Sequence, residues 1–136
     1  ETKAFATFFL QQIGNYHIVC LKGELGSGKT TFAQGIAQAL GIKKRIISPT
    51  FILMRSYTIP RTSRVKFHSL YHIDAYRIQS KEDTIGLTEI SKDPTNLILI
   101  EWSENIKDLL PEKRIELHFM YRRCNEREIH IKKYGK

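Results

Sequence analysis

The sequence predicts an α/β protein, a three-layer sandwich on a mainly parallel central sheet with antiparallel edge strands. Three observations predict it. Residues 17–21 (HIVCL) form a short β-branched run that enters a glycine-rich turn, and helical spacing resumes over residues 30–40. Residues 96–101 (NLILIE) are apolar until Glu101, the pattern of a strand covered on both faces. Strands that alternate with helices early in the chain, then two strand-like runs in succession, favour a sheet that is parallel in its middle and antiparallel at its margins.

In chain order, residues 3–13 place apolar side chains at 4, 5, 8, 9, 10 and 13, a helical spacing that Gly14-Asn15 would close. The strand at 17–21, the glycine loop and the helix at 30–40 follow, the helix stopped by Gly41. Ile46-Ile47 and residues 51–58 read as strand material around Ser48-Pro49, residues 59–64 as an exposed basic loop, and residues 65–74 as extended. Ser80 before Glu82-Asp83 suits the N-cap of a short helix, and residues 103–110 read as a capped helix closed by Pro111. Residues 115–121 and 127–132 read as two strands joined by a polar turn around Asn125.

A chain of 136 residues, 41% hydrophobic and 26% charged, is expected to form one compact domain spanning 1–136. No apolar run approaches the roughly 20 residues that a membrane-crossing helix requires. Residues 1–10 carry neither a basic region nor a small-residue cleavage site, so no signal peptide is read and a cytoplasmic location is expected. The two cysteines, Cys20 and Cys124, suit neither a disulfide framework nor zinc-ligand spacing.

The net charge of +8 is unevenly placed. Residues 1–68 hold ten basic and two acidic side chains, whereas residues 69–136 hold twelve of each. Between Glu24 and Asp74 there is no acidic residue, yet Lys29, Lys43, Lys44, Arg45, Arg55, Arg61, Arg64 and Lys66 fall there. Such a stretch attracts polyanions or an acidic partner.

Chemistry is carried by Gly23-Glu24-Leu25-Gly26-Ser27-Gly28-Lys29-Thr30, which has the spacing of a phosphate-binding loop between a strand and a helix. A backbone wrapping a phosphate must approach it closely and adopt positive φ, which glycine does without steric cost. Amide groups of Leu25, Gly26, Ser27 and Gly28, and of the helix start at Lys29, Thr30 and Thr31, would face the phosphates with the helix dipole behind them. Lys29 would reach the β- and γ-phosphates, and Thr30 would offer its hydroxyl to Mg²⁺. Such sites also need a carboxylate at the end of a neighbouring buried strand. Glu101 is the first candidate and Asp74 the second, and both would serve if one holds the metal and the other orients or deprotonates a water. The fold expectation narrows accordingly to a P-loop NTPase-like sandwich.

Four signatures in order, GELGSGKTTFAQGIAQALG, Ser48-Pro49-Thr50-Phe51, Tyr71-His72-Ile73-Asp74-Ala75-Tyr76-Arg77 and Ile100-Glu101-Trp102, resemble the TsaE (YjeE) family. The resemblance spans residues 4–117. It implies an ATPase required for threonylcarbamoyladenosine at position 37 of tRNA, with ATP and Mg²⁺ as cofactors. TsaD and TsaB are the implied partners, and tRNA is met indirectly or through that complex. It also implies that Lys29 and Thr30 bind phosphate and Mg²⁺, that Glu101 completes the metal site, and that Thr50 and Asp74 occupy switch-like positions near the γ-phosphate. Trp102 is implied to pack near the nucleotide. The chain departs from the family pattern in a longer, more basic segment over 54–69, with Arg55 at a position that is often acidic, and in Ser27 for the commoner alanine.

Two other readings share the same residues. A small-molecule kinase would use the same loop, but residues 78–95 carry no arginine for a lid, only Lys81 and Lys92. A basic RNA-binding module would use the acid-free stretch but leaves Asp74 and Glu101 without a task.

Overall fold

The computed structural model describes residues 2–24, 28–46, 54–76, 78, 85–123 and 126–135. Helix α1 (Thr2–Gln12) leads into strand β1 (Ile18–Gly23), and helix α2 (Lys29–Ala39) follows the glycine loop. Strands β2 (Met54–Thr58) and β3 (Ser69–Asp74) are joined through a 3₁₀ turn at Arg61–Ser63. Helix α3 (Ile85–Ser91), strand β4 (Asn96–Glu101), a 3₁₀ segment at Ser103–Leu109, and strands β5 (Arg114–Tyr121) and β6 (Arg127–Tyr134) complete the order. Among the described residues, no helix is long and apolar enough to cross a membrane.

All six strands form one sheet in the order β2-β3-β4-β1-β5-β6. The four inner strands run parallel, while β2 and β6 pair antiparallel with β3 and β5. The structure has the P-loop NTPase-like α/β architecture with antiparallel edges that the sequence predicts.

Side-chain parity explains why β1 and β4 are central. Successive residues of a strand face opposite sides. Val19, Leu21, Leu97 and Leu99 therefore pack with Phe32, Ile36 and Leu40 under α1 and α2, while Ile18, Cys20, Ile98 and Ile100 pack with Leu87 and Ile106 on the other face. Every residue of β4 is buried because both of its faces are covered. The α1–α2 layer is pinned by an aromatic chain, Phe9 to Phe32 and Phe32 to Phe119, each with ring centroids 5.6 Å apart.

The structure corrects several local expectations. The extended run before Asp74 begins only at Ser69, and Ile46 is not in a strand. The 59–64 segment is not uniformly exposed: Ile59 is buried in the α2 face, and Ser63 Oγ donates to Leu40 O at the end of α2. Tight seating there requires Gly41, whose φ is +81° and where a Cβ would lie 2.5 Å from Ser63 Oγ. The predicted capped helix at 103–110 is a 3₁₀ segment kinked at Ile106, with no side-chain cap. Pro111 limits its length, and Ile106 is pulled into the core at the expense of regular helix geometry. Ser80, Glu82, Asp83, Cys124, Asn125 and the strand expectation over 47–53 lie outside the described residues.

Candidate active site

The carboxyl ends of the parallel strands converge where the chain reverses direction about β1, the usual crevice for ligands in an open α/β sheet. Register puts Asp74, Glu101 and Leu21 in one row across β3, β4 and β1. The row lies on the α2 face, so two carboxylates from separate strands stand beside the start of α2. Both are buried, Asp74 at 7% and Glu101 at 4% exposure.

Gly28 is the N-cap of α2 with φ 107° and ψ 5°, and no side chain caps the helix. A Cβ there would meet only Phe119 at an ordinary 3.8 Å, so backbone conformation rather than lack of space requires glycine. The uncapped amides keep their donors for a ligand. Thr30 is half-buried and Thr31 exposed on the first turn of α2.

Lys29 is 4% exposed. Its Nζ donates to Gly23 O at 2.5 Å, spanning the mouth of the glycine loop, and lies 3.9 Å from the centroid of the Trp102 ring. Burial lowers the Lys29 pKa below the ordinary lysine value, and the negative charges of Glu101, Glu104 and Asp74 oppose that shift. The ammonium is thus poorly solvated and held among acceptors, ready to exchange them for a stronger anion.

Glu101 is held by His72, whose Nε2 contacts Glu101 Oε2. His72 is fully buried, and its Nδ1 has no hydrogen-bond partner among the described residues. Such a contact fixes one carboxylate oxygen and leaves the other for a cation or water. Asp74 is fixed differently: its Oδ1 accepts from the Tyr76 backbone N–H at 2.9 Å.

The two strand exits are clamped to each other. Ala75 N donates to Glu101 O at 2.9 Å, and Asn105 Nδ2 donates to the carbonyls of Ala75 and Tyr76 at 3.2 and 3.1 Å. Trp102 adopts φ 58° and ψ 38°, a left-handed conformation rare for a tryptophan. That turn brings its ring to Lys29 and within 5.0 Å of the Tyr76 ring. Backbone strain of this kind collects at functional sites.

The structure therefore brings Lys29, Thr30, Asp74, Glu101 and Trp102 to one end of the sheet. Leu25, Gly26, Ser27, Thr50 and Arg77 lie outside the described residues. Sequence reasoning missed Asn105 and Glu104, since neither belongs to a spaced motif. The motif that contains His72 assigns that residue no role of its own. Parity was the available signal there: His72 stands two residues before Asp74 and shares its face.

A hydrated Mg²⁺ beside phosphates needs one hydroxyl and one carboxylate rather than a cage of protein ligands. Thr30, half-buried on the first turn of α2, and Glu101, buried at the end of β4, fit that requirement.

Comparison with known proteins gives a consistent answer. The sequence matches the family model described as "Threonylcarbamoyl adenosine biosynthesis protein TsaE" over residues 1–129. It is 42% identical over 134 residues to the tRNA threonylcarbamoyladenosine biosynthesis protein TsaE of Rickettsia typhi, covering 98% of this chain and 89% of that one. The protein of the same name from Bacillus subtilis is 34% identical over 132 residues, covering 95% of this chain and 77% of that one. The crystal structure of Bacillus subtilis YdiB superposes with a TM-score of 0.76 at 31% identity, over 98% of this chain and 79% of that one.

Proposed function

The chain belongs to the TsaE family of tRNA threonylcarbamoyladenosine biosynthesis proteins, and from that premise we propose that it is a Mg²⁺-dependent ATPase. Its hydrolysis of ATP would serve threonylcarbamoylation of tRNA adenosine 37, in company with TsaB and TsaD homologues in the cytoplasm. The observation that supports this reading best is the convergence of buried Lys29, Asp74 and Glu101 from three separate elements.

Phosphoryl transfer to water asks the protein mainly for positioning and charge stabilisation. Water attacks the γ-phosphorus, the bond to the β–γ bridging oxygen breaks, and ADP and phosphate leave with the water's proton. The amides of Leu25–Gly28 and of Thr30 and Thr31 bind the phosphates. Lys29 exchanges Gly23 O for β- and γ-phosphate oxygens and stabilises the charge that develops there. Thr30 and Glu101, the latter under the grip of His72, would hold Mg²⁺, which would supply neutralising charge at the phosphates. Asp74 orients the attacking water or accepts its proton, Thr50 would add a hydroxyl near the γ-phosphate as the family resemblance implies, and Trp102 packs against the nucleotide.

Steady-state ATP turnover by the purified chain, alone and with TsaB and TsaD, tests the reading. Acceleration by the partners and its loss on Lys29→Ala are expected. Absence of Mg²⁺-dependent ATP binding, alone or in the complex, would overturn it.

A further inference from the structure

The acid-free basic stretch is not part of the nucleotide end. Lys43, Lys44 and Arg45 follow the carboxyl end of α2, and Arg61 lies in the turn after the carboxyl end of β2, both at the opposite end of the sheet from Asp74 and Glu101. Ser63 Oγ bonds Leu40 O, which draws the two basic segments together around Gly41. Between them runs a cleft of about 460 Å³ lined by Lys43, Lys44, Ser56, Thr58, Pro60 and Thr62, among others. It shares Lys44 with a cleft bearing Arg45, and Thr58 and Pro60 with a third bearing Arg61 and His68.

All four cations are exposed, and none has an ion-pair partner among the described residues. Lys66 differs, since it donates to Gly14 O. Four cations elsewhere are ion-paired, Lys22 and Arg114 with Glu116, Lys92 with Glu89 and Arg122 with Glu128. Unpaired positive charge along these adjoining clefts, which together form a trough with hydroxyls of Ser56, Thr58 and Thr62 between, raises local anion concentration and supplies donors for phosphate oxygens.

We propose that this trough, formed by Lys43, Lys44, Arg45 and Arg61 between the end of α2 and the β2 edge, binds the phosphate backbone of RNA. Protein partners need apolar anchors at the centre of an interface, and the exposed apolar side chain here is Val65 alone among the large ones. Nucleic-acid interfaces are polar and strongly positive, as this trough is. The choice of RNA rests on the family's place in tRNA modification and not on ATP hydrolysis. The proposed contacts are to the backbone, so binding should follow charge rather than sequence.

The test is fluorescence polarisation of end-labelled unmodified tRNA with the full chain, alongside labelled polyglutamate. With four or five phosphate contacts, log affinity should fall with log salt at a slope between about −3 and −4, or roughly 60- to 250-fold between 50 and 200 mM salt. Lys43→Glu with Lys44→Glu should weaken tRNA binding at least about tenfold, and Arg61→Glu should weaken it further. The Lys43→Gln, Lys44→Gln pair should give a smaller loss in the same direction and serves where charge reversal lowers the melting temperature. Arg123→Glu with Lys132→Glu, in the β5–β6 turn and on β6, should leave binding within about twofold. Absence of tRNA binding at 50 mM salt, equal losses from both edges, or tighter binding of polyglutamate than of tRNA would overturn the proposal. Trough variants should keep wild-type ATP turnover. An intact salt slope without any ATP turnover would sink the ATPase reading and leave this one standing.

Discussion

Charge is handled in opposite ways at the two ends of the parallel strands. At the carboxyl end Lys29, His72, Asp74 and Glu101 are at most 7% exposed and, except for one imidazole nitrogen, are held by named partners. At the other end Lys43, Lys44, Arg45 and Arg61 stand in solvent with none. Burying charge is costly unless every group finds a partner, so a buried set must be arranged in advance and suits a ligand whose geometry matters. Exposed unpaired charge costs little and suits a ligand recognised by charge density alone. The difference predicts steep, site-specific losses at the first end and graded, salt-dependent ones at the second.

The largest expected effect is therefore at Lys29. Lys29→Ala should lower ATP turnover at least about 100-fold, equivalent to roughly 3 kcal/mol of transition-state stabilisation, because the ammonium held at Gly23 O would be lost from the phosphate site. A steady-state phosphate-release assay reads it. Tenfold or less would mean that the buried end is no more specific than the exposed one.

Next is the carboxylate and its support. Glu101→Gln should reduce turnover about 100-fold while MgATP still binds, since removing charge from a held oxygen affects the metal more than the loop amides. His72→Phe removes the contact to Glu101 Oε2 but no ligand of the phosphates. It should raise the Mg²⁺ concentration needed for half-maximal turnover about tenfold and leave the KM for ATP at saturating Mg²⁺ within twofold. A rise in both would assign His72 to general packing.

How far the two ends were legible in the sequence follows from the range of the interactions. The β1–loop–α2 unit was legible because its signals are local: two periodicities and glycines at fixed spacing. Strand β4 and the place of Glu101 were legible because six apolar residues in a row need cover on both faces. His72 was not, since its partner comes from another strand 29 residues away. Neither was Trp102, whose left-handed turn is imposed by the clamp between Asn105 and the carbonyls of Ala75 and Tyr76. The 3₁₀ segment at Ser103–Leu109 failed for a related reason: its composition suits a helix, but burial of Ile106 decides its geometry. The basic trough was half legible. Its charge was plain, whereas its assembly from two segments depends on the Ser63–Leu40 contact.

A third charged group supplies an internal control, because Glu116 is buried and paired yet serves no proposed reaction. Lys22 Nζ and Arg114 Nε reach its two oxygens, each at 2.7 Å. Burial raises the Glu116 pKa, but hydrogen bonds from Lys22 and Arg114 and their charges outweigh it, so the net shift is downward. A depressed carboxylate stabilises the fold above its unfolded pKa of 4.5, and the contribution disappears as pH falls through the lowered native value. Glu116→Gln should cost about 1–3 kcal/mol at pH 7 by urea denaturation, and the difference should shrink toward pH 3 without any change in ATP turnover.

The smallest effect has the opposite sign and returns to Lys29. Its pKa is lowered chiefly by burial, so the native state binds the proton less well than the unfolded chain does. Protonated Lys29 therefore destabilises the fold at neutral pH. The penalty fades as pH rises through the lowered native pKa and is gone above the ordinary lysine value of 10.5. Lys29→Met keeps the apolar stem against Trp102 and removes the charge. At pH 7 it should raise stability in urea denaturation while abolishing turnover, the usual relation between a functional charge and the fold that carries it. At pH 10.5 that gain should disappear. The same comparison at Lys43→Met should give a change within about 0.5 kcal/mol at both pH values, because an exposed ammonium carries no burial penalty to remove. Equal gains at the two positions would erase the distinction between a buried, arranged charge and a free one on which the reading of both ends depends.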